Sequence, residues 1–224
     1  MKILYGFFFS LSLASVMAVS CRSMPGWEPA WPESLHSARN EPYLSETGKA
    51  VIHEINKVRT NPKAYANYLK RERRYYSGKI IERPGARPVR TREGRAALEA
   101  CIAALEKAAA TTALMPDENL CRAAGLLAAE QAKTGATGHV CADGRTIKDR
   151  IMHFSGDRYM KMAENISYGG REARAIVIRF LIDDGIPSRG HRLNLMNPSF
   201  THCGVAITAH PVYRHVCVID FAAY

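Results

Sequence analysis

Histidines, cysteines and carboxylates are the side chains best suited to hold a metal or move a proton. The 224-residue chain carries eight His, six Cys and 21 Asp plus Glu. Their spacing excludes the local catalytic motifs. No two histidines stand four apart, so no single helix offers an H-E-x-x-H metal pair. No cysteine sits in a C-x-x-C pair, which speaks against a zinc ribbon or a thioredoxin-type site. A G-x-S-x-G elbow, a Walker loop and a G-x-G-x-x-G turn are absent as well. Any site must therefore be assembled by the fold from distant segments.

The elements that would do this can be read from period and punctuation. Ser45 is placed to cap a helix with Val51, Ile52, Ile55 and Val58 on one face. Asn61-Pro62 starts a second helix, with Asn as N-cap and Pro at the first helical position. Helical spacing returns over Thr91 to Ala110, after Pro116-Asp117 until Gly135, over Thr146 to Met152 with Asp149 closing a capping box, and over Glu172 to Ile182. The chain ends in two β-rich runs, Cys203 to Ala209 and Tyr213 to Ala222, around His210-Pro211. Several helices around a small antiparallel sheet make an α+β domain. In a hairpin centred on residue 210, Cys203 and Cys217 lie opposite each other, and in an oxidising compartment we expect them to form a disulfide. Cys101, Cys121 and Cys141 are left over, as buried thiols or with one of them catalytic.

Residues 1–20 read as an export signal: Lys2, an apolar run from Ile3 to Leu13 too short to span a bilayer, and the small-x-small pattern Ala18-Val19-Ser20. Cys21 follows directly, and MAVSC resembles the site at which bacterial lipoproteins are acylated, apart from Ala18 where Leu is usual. Two outcomes follow, a membrane-anchored lipoprotein of the cell envelope or a secreted protein. Residues 21–44, rich in Pro and Ser, form a tether or a loosely packed strap, and the domain proper runs over 45–224. The net charge of +10 is local. Lys57 to Arg95 holds thirteen basic residues against three acids, and about 70–95 reads as an exposed basic loop. A uniformly basic nucleic-acid binder is thereby disfavoured.

Four segments carry the reading further: GATGHVCADG (135–144), AENISYG (163–169), FLIDDGIPSRGHRLNLMNPSF (180–200) and HVCVIDFA (215–222). In this order they resemble the bacterial branch of the CAP superfamily, the SCP-like extracellular proteins. EINKVRTNPKAYANYL (54–69) resembles the opening helices of the same branch. The resemblance implies an α-β-α sandwich and a cleft of two His and two acids. Matched segment by segment, these are His139, Glu164, Asp183 and His191. Eukaryotic members carry Glu where this chain has Asp183, three after Phe180 at the family's Trp position, with Asp184 as the fallback acid. Asn194 stands at the polar position three after the second His.

Two neutral imidazoles with carboxylates suit a divalent ion such as Zn²⁺, with the acids as ligands or as partners of the imidazole N–H groups. The resemblance implies a non-catalytic extracellular module that binds a metal, a lipid or a sterol-like ligand. A metal-dependent hydrolase with Glu164 as base is the enzymatic alternative, and an interaction protein docking on anionic surfaces through its basic loop is a third.

Overall fold

A computed structural model of the protein describes residues 30–224. The export signal and Cys21 lie outside the described residues. Seven α-helices and two small sheets are present there.

Helix α1 (Glu46–Thr60) is the central element. Its face of Val51, Ile52, Ile55 and Val58 is fully buried, each side chain contributing about 1.5–3 kcal/mol. Ser45 Oγ accepts from Gly48 N, and Asn61 Oδ1 accepts from Ala64 N to start α2 (Pro62–Glu72). Each cap stabilises its helix by roughly 1 kcal/mol. Helix α3 (Arg95–Lys107) packs Leu98, Ile102 and Leu105 into the same core. Asp117 caps α4 (Glu118–Thr134), which ends at Gly135 in the left-handed conformation. Thr146 and Asp149 make the expected capping box of α5 (Ile147–Ser155). Helices α6 (Ala173–Ile182) and α7 (Gly190–Met196) complete the set.

Between α2 and α3, three two-residue strands, β1 (Tyr76–Ser77), β2 (Ile80–Ile81) and β3 (Val89–Arg90), form an antiparallel sheet. The expected exposed loop at 70–95 is thus corrected: the segment is exposed but folded. Several of its cations are spoken for, Arg73 by Glu99, Arg83 by Glu72 and Lys70 by Glu106.

The main sheet is made of β4 (Met115–Pro116), β5 (Lys161–Tyr168), β6 (His202–His210) and β7 (Arg214–Ala223), in the order β4-β6-β7-β5. Its strands alternate between two cores. Cys217, Ile219 and Phe221 face α1 and α6, whereas Val216, Val218 and Ala222 face the side of α4 and α5. The result is the expected α+β sandwich, helices on both faces of one sheet. Gly204 is needed where α4 crosses β6, because a Cβ there would stand 2.2 Å from the Cys121 amide nitrogen.

The terminal hairpin is present with another register. His210 pairs with Arg214, so Cys203 lies opposite Phe221 and Cys217 opposite Ile207. The expected Cys203–Cys217 disulfide is therefore overturned. The two cysteines are offset by four residues, roughly 13 Å along a strand, and a bridge needs Cα atoms within about 7 Å. The turn decides this. His210 Nδ1 accepts from the amides of Val212 and Tyr213, and Arg214 takes a left-handed φ of 74°, so three residues close the hairpin. All five described cysteines are buried free thiols, and burial pushes the Cys101 thiol up to about 11, out of nucleophilic range.

Within the segment expected as tether or strap, residues 33–44 are packed on the body. Leu35, Ala38 and Leu44 are buried, and Asn56 of α1 donates to the Leu35 carbonyl and to Ser37 Oγ.

Candidate functional site

His139 sits in the loop after α4, and Glu164 on β5. The imidazole Nδ1 lies 2.7 Å from Glu164 Oε1. Arg150 of α5, fully buried, binds the other carboxylate oxygen and donates to the His139 carbonyl at 2.9 Å. One guanidinium thus fixes both the acid and the loop that carries the imidazole. The Glu164 side chain is 2% exposed and that of His139 54%, so a buried carboxylate presents an open ring.

The second pair has the same design. Asp183 Oδ1 lies 2.6 Å from His191 Nδ1, and Oδ2 accepts from the His191 amide at 2.9 Å. Their side chains are 2% and 26% exposed. Asp183 ends α6 in the left-handed conformation, φ 54°, which Asp tolerates better than most residues. This places its carboxylate over the start of α7, so the shorter acid reaches the imidazole. Asp184, the fallback acid, is engaged elsewhere: it accepts from the amides of Arg92, Glu93 and Gly94 and ties the basic segment to the end of α6.

Helix α7 is held at both ends. The Asn165 amide donates to the His191 carbonyl, and Asn194 donates to Asn165 Oδ1. Past the helix, buried Arg59 donates to the carbonyls of Leu195, Asn197 and Phe200 and, from Nε, to Thr112, all at 2.8–3.0 Å. A guanidinium serving carbonyls at a helix C-terminus is favourable in both hydrogen bonding and dipole. Burial lowers its pKa to about 10.

The four residues picked from sequence thus come together as two His–carboxylate pairs. Glu164 and Asn165 are consecutive on the edge strand β5 and point to opposite faces, so one pair lies on the α5 side and the other on the α7 side. Among the described residues no group of three or more His, Cys, Asp or Glu converges on one metal position. With each Nδ1 tied to a carboxylate, each Nε2 is the nitrogen left to take a ligand.

Sequence reasoning missed Arg150, Asn165 and Asp220. Asn165 stood inside the AEN segment. Asp220, an acid within the apolar run HVCVIDFA, carried a visible signal. It pairs across the strands with Glu164, is fully buried, and among the described residues no hydrogen-bond donor reaches either of its oxygens. Burial, and then the charge of Glu164, push its pKa well above the usual carboxylate range. Arg150 gave no sign, because its role depends on where α5 packs.

A cleft of about 490 Å³ opens between the β1–β3 sheet, β5 and α6. His191 and Asp183 line it with Ile81, Ile166, Ile178 and Phe180. The profile of the CAP cysteine-rich secretory protein family matches residues 52–221, which include both pairs and this cleft. The chain belongs to the CAP family. Two solved structures resemble it. An outer surface protein of Borrelia burgdorferi is 21% identical, with a TM-score of 0.42, over 49% of this chain and 77% of that one. An extracellular SCP-domain protein of Bacillus anthracis is 23% identical, with a TM-score of 0.43, over 51% of this chain and 35% of that one. A search of curated proteins gave no match. In this CAP domain the second acid is Asp183 rather than Glu, and the contact to imidazole is made all the same.

Proposed function

We propose that the protein is an exported, non-catalytic CAP module whose two imidazoles bind a divalent ion, Zn²⁺ above all, and whose adjoining cleft takes a small hydrophobic ligand. The observation that carries the metal reading is the pairing of two accessible imidazoles with two buried carboxylates. Each carboxylate fixes its ring through Nδ1 and leaves Nε2 to the ligand, the second-sphere arrangement common around zinc. The nitrogens on offer are one Nε2 from each pair, on either side of β5, so the reading requires both to reach a single ion, with water in the remaining positions. Export rests on the N-terminal signal, and anchoring on acylation of Cys21.

The hydrolase alternative is less well supported. A general base needs a free carboxylate oxygen, and both oxygens of Glu164 are engaged, by His139 and Arg150. The test is calorimetric titration of the metal-stripped protein with Zn²⁺. Saturable heat is expected from the wild type and none from the His139→Ala/His191→Ala double variant, with unchanged circular dichroism. Equal binding by both proteins overturns the metal reading.

A further inference from the structure

The cleft holds arginines that its own acids do not pair. Arg83, Arg90 and Arg179 line it, and so do Asp183 and Asp184. Both acids are committed, Asp183 to His191 and Asp184 to three backbone amides. Arg83 is paired with Glu72. Arg90 and Arg179 have no carboxylate partner among the described residues.

Arg179 is held in place all the same. Its Nη1 donates to Ser167 Oγ at 2.8 Å and to the Tyr168 carbonyl. Gly169, at a φ of +126°, leaves room for the guanidinium beside the backbone, since a Cβ there would stand 3.2 Å from Nη1. Neutral acceptors thus orient the group, and its Nε and Nη2 donors have no protein acceptor among the described residues. Arg179 is exposed to the cleft, yet enough protein surrounds it to draw its pKa below the ordinary Arg value by desolvation. A pre-oriented guanidinium with free donors, set in a partly desolvated concavity, is suited to the bidentate recognition of an oxyanion. Beside it the lining is apolar, through Ile166, Ile178 and Ile182. The volume is in the range of small-molecule sites.

We propose that this cleft selects anionic amphiphiles, the carboxylate or phosphate head on Arg179 with Arg90 and the apolar body along the isoleucines of α6 and β5. The proposal rests on the reading of the cleft as a ligand site and adds the charge of the ligand. It is independent of the metal.

The experiment is calorimetric titration of the purified chain with decanoate, decyl phosphate and uncharged decanol, below their aggregation concentrations. At least one acid is expected to bind saturably and about tenfold or more tighter than decanol, the scale of a charge-assisted hydrogen bond. Whichever acid binds tighter names the head group. Arg179→Gln is expected to remove that preference while leaving decanol binding unchanged. Arg90→Gln, on an exposed strand and with no side-chain partner to lose among the described residues, is expected to weaken it in the same sense without risk to the fold. Equal binding of the acids and decanol, or a preference that survives both substitutions, overturns the charge selection and leaves the apolar cleft standing. No binding of any of the three overturns this proposal and the hydrophobic-ligand reading together, and the zinc titration is unaffected.

Discussion

At the scale of single residues, the site is built of imidazoles held from behind. Both histidines were legible in the sequence because they sit in short segments with fixed neighbours, GH and SRGHR. What holds them was less legible, since Arg150 and Asn165 act only through packing that brings α5 and α7 to β5. Asp220 shows what burial does at this scale. It lies against Glu164 with no donor of its own, and its pKa is raised. A carboxyl whose folded pKa exceeds its unfolded value of about 3.9 contributes stability below that value and loses it as pH rises through the folded pKa. Asn in its place carries no charge and offers an N–H to Glu164. Asp220→Asn is therefore expected to stabilise the protein near neutral pH. The gain should be on the order of 1 kcal/mol, or about 2–4 °C in Tm, and should fade as pH falls toward about 4. Melting curves across that range check it. A loss of stability at neutral pH would show that the fold uses the Asp220 charge.

At the scale of elements, helix caps and periods told most of the story. The starts of α1, α2, α4 and α5 follow from Ser45, Asn61, Asp117 and Thr146, whose side chains make the caps their types suggest. Strand β5 and the β1–β3 sheet did not show. The residues of β5 from Glu164 to Ser167 are buried on both faces, so they lack simple alternation, and two-residue strands are too short to carry a period. The hairpin was read correctly and its register was not, because the length of a turn is set by contacts such as those of His210 with the two amides after Pro211. The β1–β3 sheet has little core of its own and depends on its clamp. Asp184 takes three backbone amides ahead of α3, and Glu93 pairs with Arg189. Asp184→Ala should cost about 1.5–3 kcal/mol, the range for a hydrogen bond to a charged group, and free the segment. Hydrogen exchange should then quicken over residues 76–94 and remain slow in β6 and β7. Unchanged protection over 76–94 would show that the sheet is held by something other than Asp184.

At the scale of the whole molecule, a charge of +10 suggests a sticky basic protein, and the fold tempers this. Lys57 and Arg59 are buried, and Lys70, Arg73, Arg83 and Arg189 are paired with acids. Of the cations that remain exposed, Arg74, Lys79, Arg87, Arg90 and Arg92 lie on or beside the β1–β3 sheet. The acid response of the molecule has its own focus, where residues 33–44 meet α1. There His36 and His53 stack at a tilt of 32° with ring centroids 4.3 Å apart, and among the described residues His36 Nδ1 and His53 Nε2 are buried without hydrogen-bond partners. Burial first, then the charges of Lys57 and His36, lower the His53 pKa to about 4, against smaller opposing effects of Glu54 and Glu33. The sign follows from linkage. A histidine that is neutral when packed and titrates near 6.5 when released supports the packed state above 6.5, and this support is lost as pH falls toward about 4. The packed segment should therefore loosen across that window, before the core does. Hydrogen exchange of residues 33–44 is expected to rise between pH 6.5 and 4, once corrected for the intrinsic slowing of exchange in acid. His53→Phe keeps a ring for the stack and removes the titration, so it should hold the segment down throughout. If wild type and variant open at the same pH, another group governs the attachment, and the stacked histidines are packing alone.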